Sequence, residues 1–449
     1  MKRIVIIVLV LAYMMQPAAG LAQTLNVMGF SEYNEGFQKF LKTHPDVTVD
    51  SAPAVMRSTD QLLAEIITGT FPYDAFVMNT QSFSVKQIMT KGYCVDLSSD
   101  DYLLGQVHKM YPSIVVQATH DDNLYGIPYL CSFHYYIYQP DAWEAAGLTK
   151  EDVPLSFTEL LDFLETWIER IQMKSEDDIC VANTFDEALY DENSYIRYLV
   201  EMLLPNYIMQ RDYAGELLRF DTPEFRDLLT RCTQIGKDLY AYEPEQKPDM
   251  QLFMNWHGMD DFKLIIPLRM TTEQPILVKA NLNMYFVNMA SANKELAIEL
   301  IKSYLANESS ENMAYIYADA LPVENPEYES TMVFWQGKVD ETKRLLADEK
   351  ALEPADRPDM EANLARFENA LKEESQPENR YLISEDELAS YRANGDILFF
   401  QAPSIFDPNS ENGENVQKLC AQYISGALPL DDFVRRLDQL AKQIERERQ

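Results

Sequence analysis

Apolar residues in the first part of the chain alternate between the spacing of a strand and that of a helix. Phe37, Phe40 and Leu41 recur at helical intervals, whereas the apolar runs around them are short and continuous. The pattern predicts strands at residues 25–30, 47–49 and 74–78 and helices at residues 32–43 and 60–68. Strands that alternate with helices in this way are typical of an α/β fold with a mostly parallel sheet.

Two loops follow predicted strands in this region. Ligands of open α/β sheets bind beyond the carboxyl ends of the strands, where such loops converge. The first loop comprises residues 29–33, and the second comprises residues 79–82. Their polar groups could fix the orientation of a ligand, although loops are polar whether or not they bind anything.

The middle of the chain combines one long extended segment with amphipathic helices. Residues 126–139 are rich in β-branched and aromatic side chains and end at Pro140. Residues 156–159 have the spacing of a capping box, and the apolar stripe behind them includes Trp167, which we interpret as a core residue. Thr222 and Pro223 open a further helix.

The last part of the chain holds one more candidate contact and several helices. Trp256 lies among loop-forming neighbours rather than on a periodic stripe, so we single it out. A strand is predicted at residues 276–288, and Ser291 is expected to cap the helix after it. Residues 328–374 are highly charged with helical periodicity, interrupted by Pro354 and Pro358, and predict a surface hairpin with solvated faces. The alternative is that this hairpin docks a partner. Residues 430–446 predict the final helix.

Residues 1–22 have the features of a secretory signal peptide. Lys2 and Arg3 precede an apolar run at residues 4–15, and small residues stand before Gln23. The apolar run is shorter than the roughly 20 residues that span a bilayer as a helix. We therefore expect an exported chain that begins near Gln23; a buried first helix or an uncleaved anchor is the alternative.

Composition describes a folded, strongly acidic protein. The chain has 449 residues, of which 47% are hydrophobic, enough for two or three domains. Its formal charge is −34, and it becomes −36 without Lys2 and Arg3. Such a chain lacks the basic residues that neutralise phosphates, so nucleic acid is excluded as a partner. No cofactor is expected.

The cysteines and histidines show no metal-binding or redox pattern. The five cysteines, Cys94, Cys131, Cys180, Cys232 and Cys420, are far apart and contain no Cys-x-x-Cys pair. We expect free thiols, with one disulfide as the alternative. The five histidines, His44, His108, His120, His134 and His257, are scattered, and we interpret each as structural or solvated. No metal site is predicted.

Catalytic motifs are absent from the sequence. It contains no Gly-x-Ser-x-Gly, His-Glu-x-x-His or phosphate-binding glycine-rich pattern, which favours a protein that is not an enzyme. A glycoside hydrolase remains an alternative, because its paired carboxylates have no fixed spacing and the chain has 72 acidic residues. A surface interaction protein that uses residues 328–374 is a third possibility.

Four segments in order resemble the family 1 extracellular solute-binding proteins, the maltose-binding-protein-like components of ABC importers. They are Tyr-Asp-Ala-Phe-Val at 73–77, Gly-Ile-Pro-Tyr at 126–129 with Tyr-Ile-Tyr-Gln-Pro-Asp at 136–141, Ser-Phe-Thr-Glu-Leu-Leu at 156–161, and Ser-Ala-Asn-Lys-Glu-Leu-Ala at 291–297. The resemblance spans most of the chain after residue 22. It implies a two-lobed periplasmic-binding-protein-like fold of type II, with mostly parallel sheets flanked by helices and a hinge between the lobes.

The resemblance also implies where the lobes lie. Lobe 1 would comprise residues 23–130 and a return segment at 269–320, and lobe 2 would begin with residues 131–268. Crossings between the lobes are expected near 130–133 and 267–275. Residues 321–449 would form a helical region packed largely on lobe 2.

Carried over position by position, the ligand-facing residues of similar proteins fall on Glu32, Tyr33, Asn79, Gln81, Ser132 and Trp256. Some carbohydrate binders have a carboxylate or tryptophan where this chain has Met78, Gln81 or Ser132, so it departs from their pattern. Lipid-anchored relatives also carry a cysteine at the cleavage site, where this chain has Ala22 and Gln23.

The implied function is capture of a small solute, expected to be a sugar or oligosaccharide, and its delivery to the membrane subunits of an ABC permease. The expected protein is a monomer that is periplasmic or associated with the cell surface. Binding would close the two lobes around the ligand.

Overall fold

The computed structural model describes residues 23–53, 59–80, 83–172, 183–185, 193–242, 251–256, 264–348, 357–394, 398–400 and 411–448. The predicted signal peptide, Gln81, Cys180, His257 and Pro354 lie outside these residues. The chain forms two compact units, one made of the residues up to Glu308 together with those from Asp396 onward, the other of Ser309–Gly395.

The larger unit contains most of the strands. In chain order its elements are β1 (Gln23–Met28), α1 (Glu35–Thr43), β2 (Val47–Ala52), α2 (Thr59–Thr68), β3 (Ala75–Asn79), α3 (Phe83–Thr90), α4 (Asp101–Val107), α5 (Pro112–Ala118), β4 (Thr119–His120), β5 (Asn123–Leu124), β6 (Ile127–Tyr138), α6 (Pro140–Ala145), α7 (Phe157–Gln172), β7 (Asn183–Phe185), α8 (Ser194–Tyr213), α9 (Pro223–Tyr242), β8 (Gln251–Trp256), β9 (Val278–Val287) and α10 (Lys294–Leu305).

The smaller unit and the end of the chain complete the fold. The smaller unit contains α11 (Ser310–Ala314), β10 (Val323–Glu324), α12 (Tyr328–Ala347), α13 (Arg357–Glu374), β11 (Tyr381–Ile383) and α14 (Glu385–Asn394). The larger unit then resumes with β12 (Leu398–Phe400), α15 (Glu411–Ile424) and α16 (Leu430–Arg448).

Eight strands of the larger unit form one hydrogen-bonded sheet. Its order is β2-β1-β3-β9-β6-β8-β7, with β12 also paired to β9. Among the described strands, β1–β2, β1–β3, β7–β8 and β9–β12 pair in parallel, whereas β3–β9, β6–β9 and β6–β8 are antiparallel. The predicted α/β class and mostly parallel sheet are therefore confirmed, with antiparallel pairing at the centre.

Strand β6 joins the two halves of the larger unit. From Ile127 to His134 it pairs with β9, and from Tyr135 to Tyr138 it pairs with β8. We call β1–β3, β9 and the helices beside them the first half. We call β7, β8 and helices α6–α9, α15 and α16 the second half. The change of partner between His134 and Tyr135 marks where the chain passes from one to the other.

Asp74 connects two of the segments on which the family resemblance rests. Its buried carboxylate accepts hydrogen bonds from the Ser291 hydroxyl at 2.6 Å, the Asn26 amide at 2.8 Å and the Asn293 side chain at 3.3 Å. Ser291 was predicted to cap the next helix, and this prediction is wrong. Asn293 holds the N-cap position of α10 without a side-chain capping bond, and the Ser291 hydroxyl instead donates to Asp74 and accepts from the Asn293 amide at 2.8 Å.

Helix α1 begins later than predicted and packs closely on α10. The predicted start at Glu32 is wrong, because the Asn34 side chain accepts a hydrogen bond from the Gly36 amide at 2.7 Å and so caps a helix that starts at Glu35. A Cβ atom at Gly36 would lie 2.4 Å from the Ser303 carbonyl oxygen. Glycine therefore permits the contact between these helices.

The second half is built around an extensive apolar core. Trp143, Leu164, Leu203, Phe225 and Phe253 are among its buried side chains. Trp167 is also buried there, which confirms its interpretation as a core residue. The Thr222 side chain accepts a hydrogen bond from the Phe225 amide at 3.2 Å, as expected of the cap of α9. Helices α15 and α16 contribute to this core through residues such as Val416, Phe433 and Leu437.

Helix α8 was not predicted from the sequence. It is buried on most of its surface, so its apolar residues show no stripe at helical spacing. Pro205 lies in its interior. A helix that is surrounded by other elements lacks the polar face from which periodicity is recognised.

In the smaller unit, α12 and α13 occupy the segment predicted as a helical hairpin. The Trp335 and Phe367 rings lie 6.0 Å apart across them, whereas Phe334 meets the Trp335 ring edge to face at 5.0 Å and is 54% exposed. Pro358 is the second residue of α13, where a missing amide hydrogen is tolerated, so it stands at the start of the second helix of the hairpin. A separate small core contains Ala314, Ile383 and Leu388.

The described cysteines are free thiols. Cys94, Cys131 and Cys232 are buried and Cys420 is partly buried, which confirms the prediction for these four residues. Burial raises the pKa of each thiol, and that of Cys420 reaches about 12 because Glu201 adds to the effect. These thiols are unreactive at neutral pH.

Within the described ranges, no helix is both long enough and apolar enough to cross a membrane.

Candidate functional site

Strand β9 alternates between buried apolar and partly exposed polar residues. Ala280, Leu282 and Met284 are buried, whereas Lys279, Asn281 and Asn283 between them are only partly covered. Successive side chains of a strand point to opposite faces of the sheet. The three polar residues therefore share one face.

The strands on either side of β9 add polar residues to this face. Asn79 of β3 pairs directly with Asn283, and on β6 Ser132 pairs with Asn281 and His134 with Lys279. Directly opposed residues of an antiparallel pair lie on the same face of the sheet. We call the set Asn79, Ser132, His134, Lys279, Asn281 and Asn283 the polar strip. Its run along β9 from Lys279 to Asn283 measures about 14 Å.

Thr80 fixes the middle of the polar strip. Its buried hydroxyl donates to Asn281 Oδ1 at 3.3 Å and accepts from the Leu282 amide at 3.0 Å. The Thr80 amide donates to the Leu282 carbonyl at 2.9 Å. The hydrogen bond to Oδ1 limits the rotation of the Asn281 side chain. The orientation of its NH2 group is therefore set by the fold.

An aromatic cluster lies beyond Asn283 on β9. Tyr285 stacks on Tyr129 with ring centroids 4.1 Å apart and on Phe30 at 4.9 Å, and Tyr304 meets Phe30 edge to face at 5.1 Å. Tyr304 donates its hydroxyl hydrogen to the Ser31 carbonyl at 2.7 Å, which ties the cluster to the loop after β1. The cluster places large aromatic faces at the end of the polar strip.

The tyrosine hydroxyls of this cluster remain protonated. Burial raises the pKa of Tyr129 to about 12, and the nearby Glu308 carboxylate adds to the effect. Burial likewise raises the pKa of Tyr304, with further contributions from Glu308 and Glu32. At neutral pH these groups are hydrogen-bond donors and not phenolates.

A cavity of about 160 Å³ lies at the other end of the polar strip, where β6 changes its partner. Its lining residues are His134, Tyr135, Tyr136, Glu201, Pro205, Asn206, Met209, Asn255, Ile265, Ile266, Leu268, Leu277 and Lys279. His134 and Lys279 belong to both features, so the polar strip runs into the cavity. The cavity mixes apolar walls with a few polar groups, as ligand sites do.

The structure brings together two of the six predicted contacts. Asn79 and Ser132 both lie on the polar strip. On strand β9, Asn79 pairs with Asn283 and Ser132 pairs with Asn281. Glu32 lies in the exposed loop after β1, and its carbonyl accepts a hydrogen bond from the Gln38 side chain at 3.0 Å. This loop leaves the sheet at the same edge as Asn79, since β1 and β3 are parallel.

Of the other three predicted contacts, the structure describes Tyr33 and the backbone of Trp256. Tyr33 is 99% exposed, so its ring packs against none of the residues that the structure describes. Gln81 lies outside the described residues. Trp256 was expected in a loop, and this prediction is wrong. Strand β8 continues through Asn255 and ends at Trp256, whose backbone pairs with Tyr135. Met78, where some carbohydrate binders differ, is buried.

Four members of the polar strip were missed by sequence reasoning. Lys279, Asn281 and Asn283 were hidden within a predicted strand, and His134 was interpreted as structural or solvated. The strict alternation of polar and apolar residues from 279 to 283 was the available signal. It shows that one face is polar but does not show which strands flank it.

The polar strip is suited to binding a molecule that carries several hydroxyl groups. Each asparagine amide offers two donor hydrogens and an acceptor oxygen, and Ser132 offers both kinds of group. Within the part of the chain that the structure describes, no cluster of histidine, cysteine or acidic side chains has an arrangement that could hold a metal ion. The arrangement therefore favours recognition by hydrogen bonding.

No protein-family model and no curated protein matches the sequence. Solved structures do resemble it. One is an ABC substrate-binding protein from Listeria monocytogenes in complex with cycloalternan, with a TM-score of 0.51 and 14% sequence identity, covering 94% of this chain and 99% of that one.

Two other similar structures are the cyclic alpha-maltosyl-1,6-maltose binding protein from Arthrobacter globiformis and the sugar-binding protein MalE from Xanthomonas citri. The first has a TM-score of 0.49, 13% identity and coverage of 94% of this chain and 98% of that one. The second has a TM-score of 0.49, 16% identity and coverage of 95% and 100%. The likeness to the Listeria structure shows that this chain has the fold of an ABC substrate-binding protein, as predicted.

Proposed function

We propose that this chain is the extracytoplasmic solute-binding protein of an ABC importer, and that it captures a saccharide on the polar strip. The observation that carries the proposal is that the polar strip lies on β6 and β9 beside the point where β6 passes from one half of the fold to the other. The fold is that of an ABC substrate-binding protein whose structure was solved in complex with cycloalternan. Membership of family 1 is part of the same proposal.

Recognition would use hydrogen bonds supplied by the strip. Asn79, Asn281 and Asn283 would donate to and accept from sugar hydroxyls, while an aromatic face such as that of Tyr129 would cover the apolar side of a ring. A sugar that lacks one of these hydroxyls leaves a buried protein group without its partner, which costs about 1–3 kcal/mol. The strip would therefore discriminate between saccharides.

Ligand binding would be coupled to closure of the two halves. Sugar held by the first half at Asn283 and by the second half at the cavity would bind the closed form more tightly than the open form. A permease would then recognise the closed form. The radius of gyration measured by small-angle scattering should fall when the saccharide is added; an unchanged profile at saturation would contradict closure.

We further propose that the protein is an exported monomer and that its partner is formed by the membrane subunits of a permease. We also propose that it releases the bound saccharide without a chemical reaction. The amides of the strip can hold a sugar but are not general acids or bases. A glycoside hydrolase would require a pair of carboxyl groups about 5–10 Å apart across the scissile bond. The six residues of the polar strip contain no carboxyl group, and Glu201 is the one carboxylate in the described lining of the adjoining cavity, so the site does not supply such a pair.

A thermal-shift screen tests the proposal. Purified protein without residues 1–22 would be heated with glucose, maltose, maltotriose, cellobiose, xylobiose and a cyclic tetrasaccharide. A ligand at 100 times its dissociation constant adds about 2.7 kcal/mol to the unfolding free energy, so the melting temperature should rise with at least one of them.

Two variants show whether the shift comes from the polar strip. Asn283→Leu should abolish it, because leucine cannot bond to sugar hydroxyls. Gln336→Leu makes the same kind of change on the exposed surface of α12 and should leave it intact. A shift that survives in Asn283→Leu would place the ligand elsewhere.

A further inference from the structure

A second cavity, of about 340 Å³, lies in the second half of the larger unit. It is bounded by the start of α8, the last three turns of α9, and the end of α15 with the connection from α15 to α16. Its lining residues are Asn193, Ile196, Thr233, Lys237, Tyr240, Tyr423, Ile424, Ser425 and Gly426. It has no lining residue in common with the cavity at the end of the polar strip.

Close helix packing fixes one wall of this cavity. A Cβ atom at Gly236 would lie 2.7 Å from both the backbone nitrogen and the side chain of Ile196, so α8 and α9 approach as closely as glycine permits. This approach places Lys237 and Tyr240, which follow Gly236 on α9, beside Asn193 and Ile196. The positions of these side chains are therefore set by the backbone packing.

The opposite wall is held by a tight turn. Gly426 has a φ of 74°, a conformation that favours glycine, and its amide donates to the Tyr423 carbonyl at 2.9 Å. The Tyr423 ring stacks on Phe433 at 4.5 Å, and its hydroxyl lies 2.7 Å from the Thr233 hydroxyl. Burial raises the pKa of Tyr423, so the hydroxyl stays protonated. This wall is part of the folded core and not a mobile loop.

The lining combines an accessible aromatic ring with neutral polar groups. Tyr240 is 48% exposed at the rim, whereas Tyr423 is buried, and its hydroxyl and that of Thr233 are bonded to each other and to the Leu229 carbonyl. Asn193 and Ser425 add an amide and a further hydroxyl. Lys237 is the one charged residue in the described lining, and the chain as a whole carries −34, which opposes an anionic ligand. A neutral molecule with both an apolar face and hydroxyl groups fits this set.

We propose that this cavity is a second saccharide-binding site, separate from the polar strip, in which Tyr240 stacks on a sugar ring. Its volume is near the lower end of the roughly 300–1,000 Å³ found for small-molecule sites, so it suits one or two sugar rings. The inference does not depend on the proposed transport function, because it rests on the cavity's own lining. It gives the protein a place to hold the end of a longer chain or a second sugar.

Saturation-transfer NMR of sugar protons tests this site. The probes are glucose, maltose, cellobiose and xylobiose, each added to protein without residues 1–22 that carries Asn283→Leu to disable the polar strip. Tyr240→Ala is then added to remove the stacking ring. Tyr242→Ala is the matched control, since Tyr242 is also a half-exposed tyrosine near the end of α9, at 47%, but does not line the cavity.

At least one sugar should give a transfer signal in Asn283→Leu, and that signal should be lost with Tyr240→Ala and kept with Tyr242→Ala. Equal signals in the two tyrosine variants would overturn the proposal, as would no signal from any of the four sugars in Asn283→Leu. Circular dichroism melting confirms that each variant is folded. The signal of the parent chain, compared with that of Asn283→Leu, reports separately on the polar strip.

Discussion

The two halves of the larger unit use their side chains for different purposes. In the first half, Asn281 and Asn283 occupy alternate positions of a central strand and stay partly exposed, and Thr80 holds Asn281 in place. In the second half, the corresponding central positions are apolar: Phe253 of β8 packs against Trp143 and Phe163 in a continuous core. The first half keeps polar groups on its central strand, and the second half buries apolar groups on its own.

This difference separates stability from recognition. Burial of apolar side chains is the dominant favourable contribution to folding, so the core of the second half should stabilise the unit. Polar groups on an exposed sheet face contribute little to stability and are available to a ligand. Substitutions in the core of the second half should therefore lower stability, whereas substitutions on the polar strip should change binding.

Removing a core ring from the second half should have the largest effect. Phe253 is fully buried, with its ring centroid 5.5 Å from that of Phe163 and 5.8 Å from that of Trp143. Phe253→Ala should lower the unfolding free energy by about 3–5 kcal/mol, because it removes apolar contacts and leaves a cavity. Urea denaturation measures the change.

Phe334→Ala, at an exposed ring of α12, is the control and should change the unfolding free energy by less than about 0.5 kcal/mol. Losses of equal size would contradict the distinction.

Gly36→Ala tests the packing of the first half. The new methyl group would lie 2.4 Å from the Ser303 carbonyl oxygen and 2.7 Å from the Tyr304 Cα, both of them backbone atoms that cannot easily move. We expect a loss of about 1–3 kcal/mol in the same urea assay.

Gly337→Ala is the control of opposite sign for this test. Gly337 lies within helix α12, and a methyl group added there would meet no atom of another described element within 4 Å. Alanine should therefore stabilise that helix by about 0.5–1 kcal/mol, because it restricts the unfolded chain more than glycine does. If both variants changed stability in the same direction, the close approach of α1 and α10 would be in doubt.

Acidification should give the smallest effect, through Asp438 of α16. Burial acts to raise its pKa, but hydrogen bonds from Lys442 and the Phe220 amide outweigh burial and hold the pKa below 3.8. A group whose pKa is lowered by folding stabilises the folded state above its unfolded pKa, and this stabilisation is lost as the pH falls through the folded pKa. The unfolding free energy should therefore decrease below about pH 4, and less steeply in Asp438→Asn. If the unfolding free energy fell equally steeply below about pH 4 in the parent chain and in Asp438→Asn, Asp438 would not have this role.

Periodic patterns predicted the amphipathic helices better than the buried one. Helices α7, α9 and α16 have one apolar face and one polar face, so their sequences reveal them. Helix α8 was missed because it is apolar almost all round. Asn79 and Ser132 were predicted as contacts, but Asn281 and Asn283 were not. Their place between β3 and β6 depends on pairing between strands about 150–200 residues apart in sequence, which local pattern does not report.

Isothermal titration calorimetry, followed by chromatography of the recovered sugar, tests the central claim most directly. The saccharide that gives the largest thermal shift would be titrated into the parent chain, Asn283→Leu and Gln336→Leu. The account predicts binding to the parent chain and Gln336→Leu, at least tenfold weaker binding to Asn283→Leu, corresponding to about 1.4 kcal/mol, and recovery of the sugar unchanged. Equal affinity for all three proteins, or cleavage products in the recovered sugar, would contradict it.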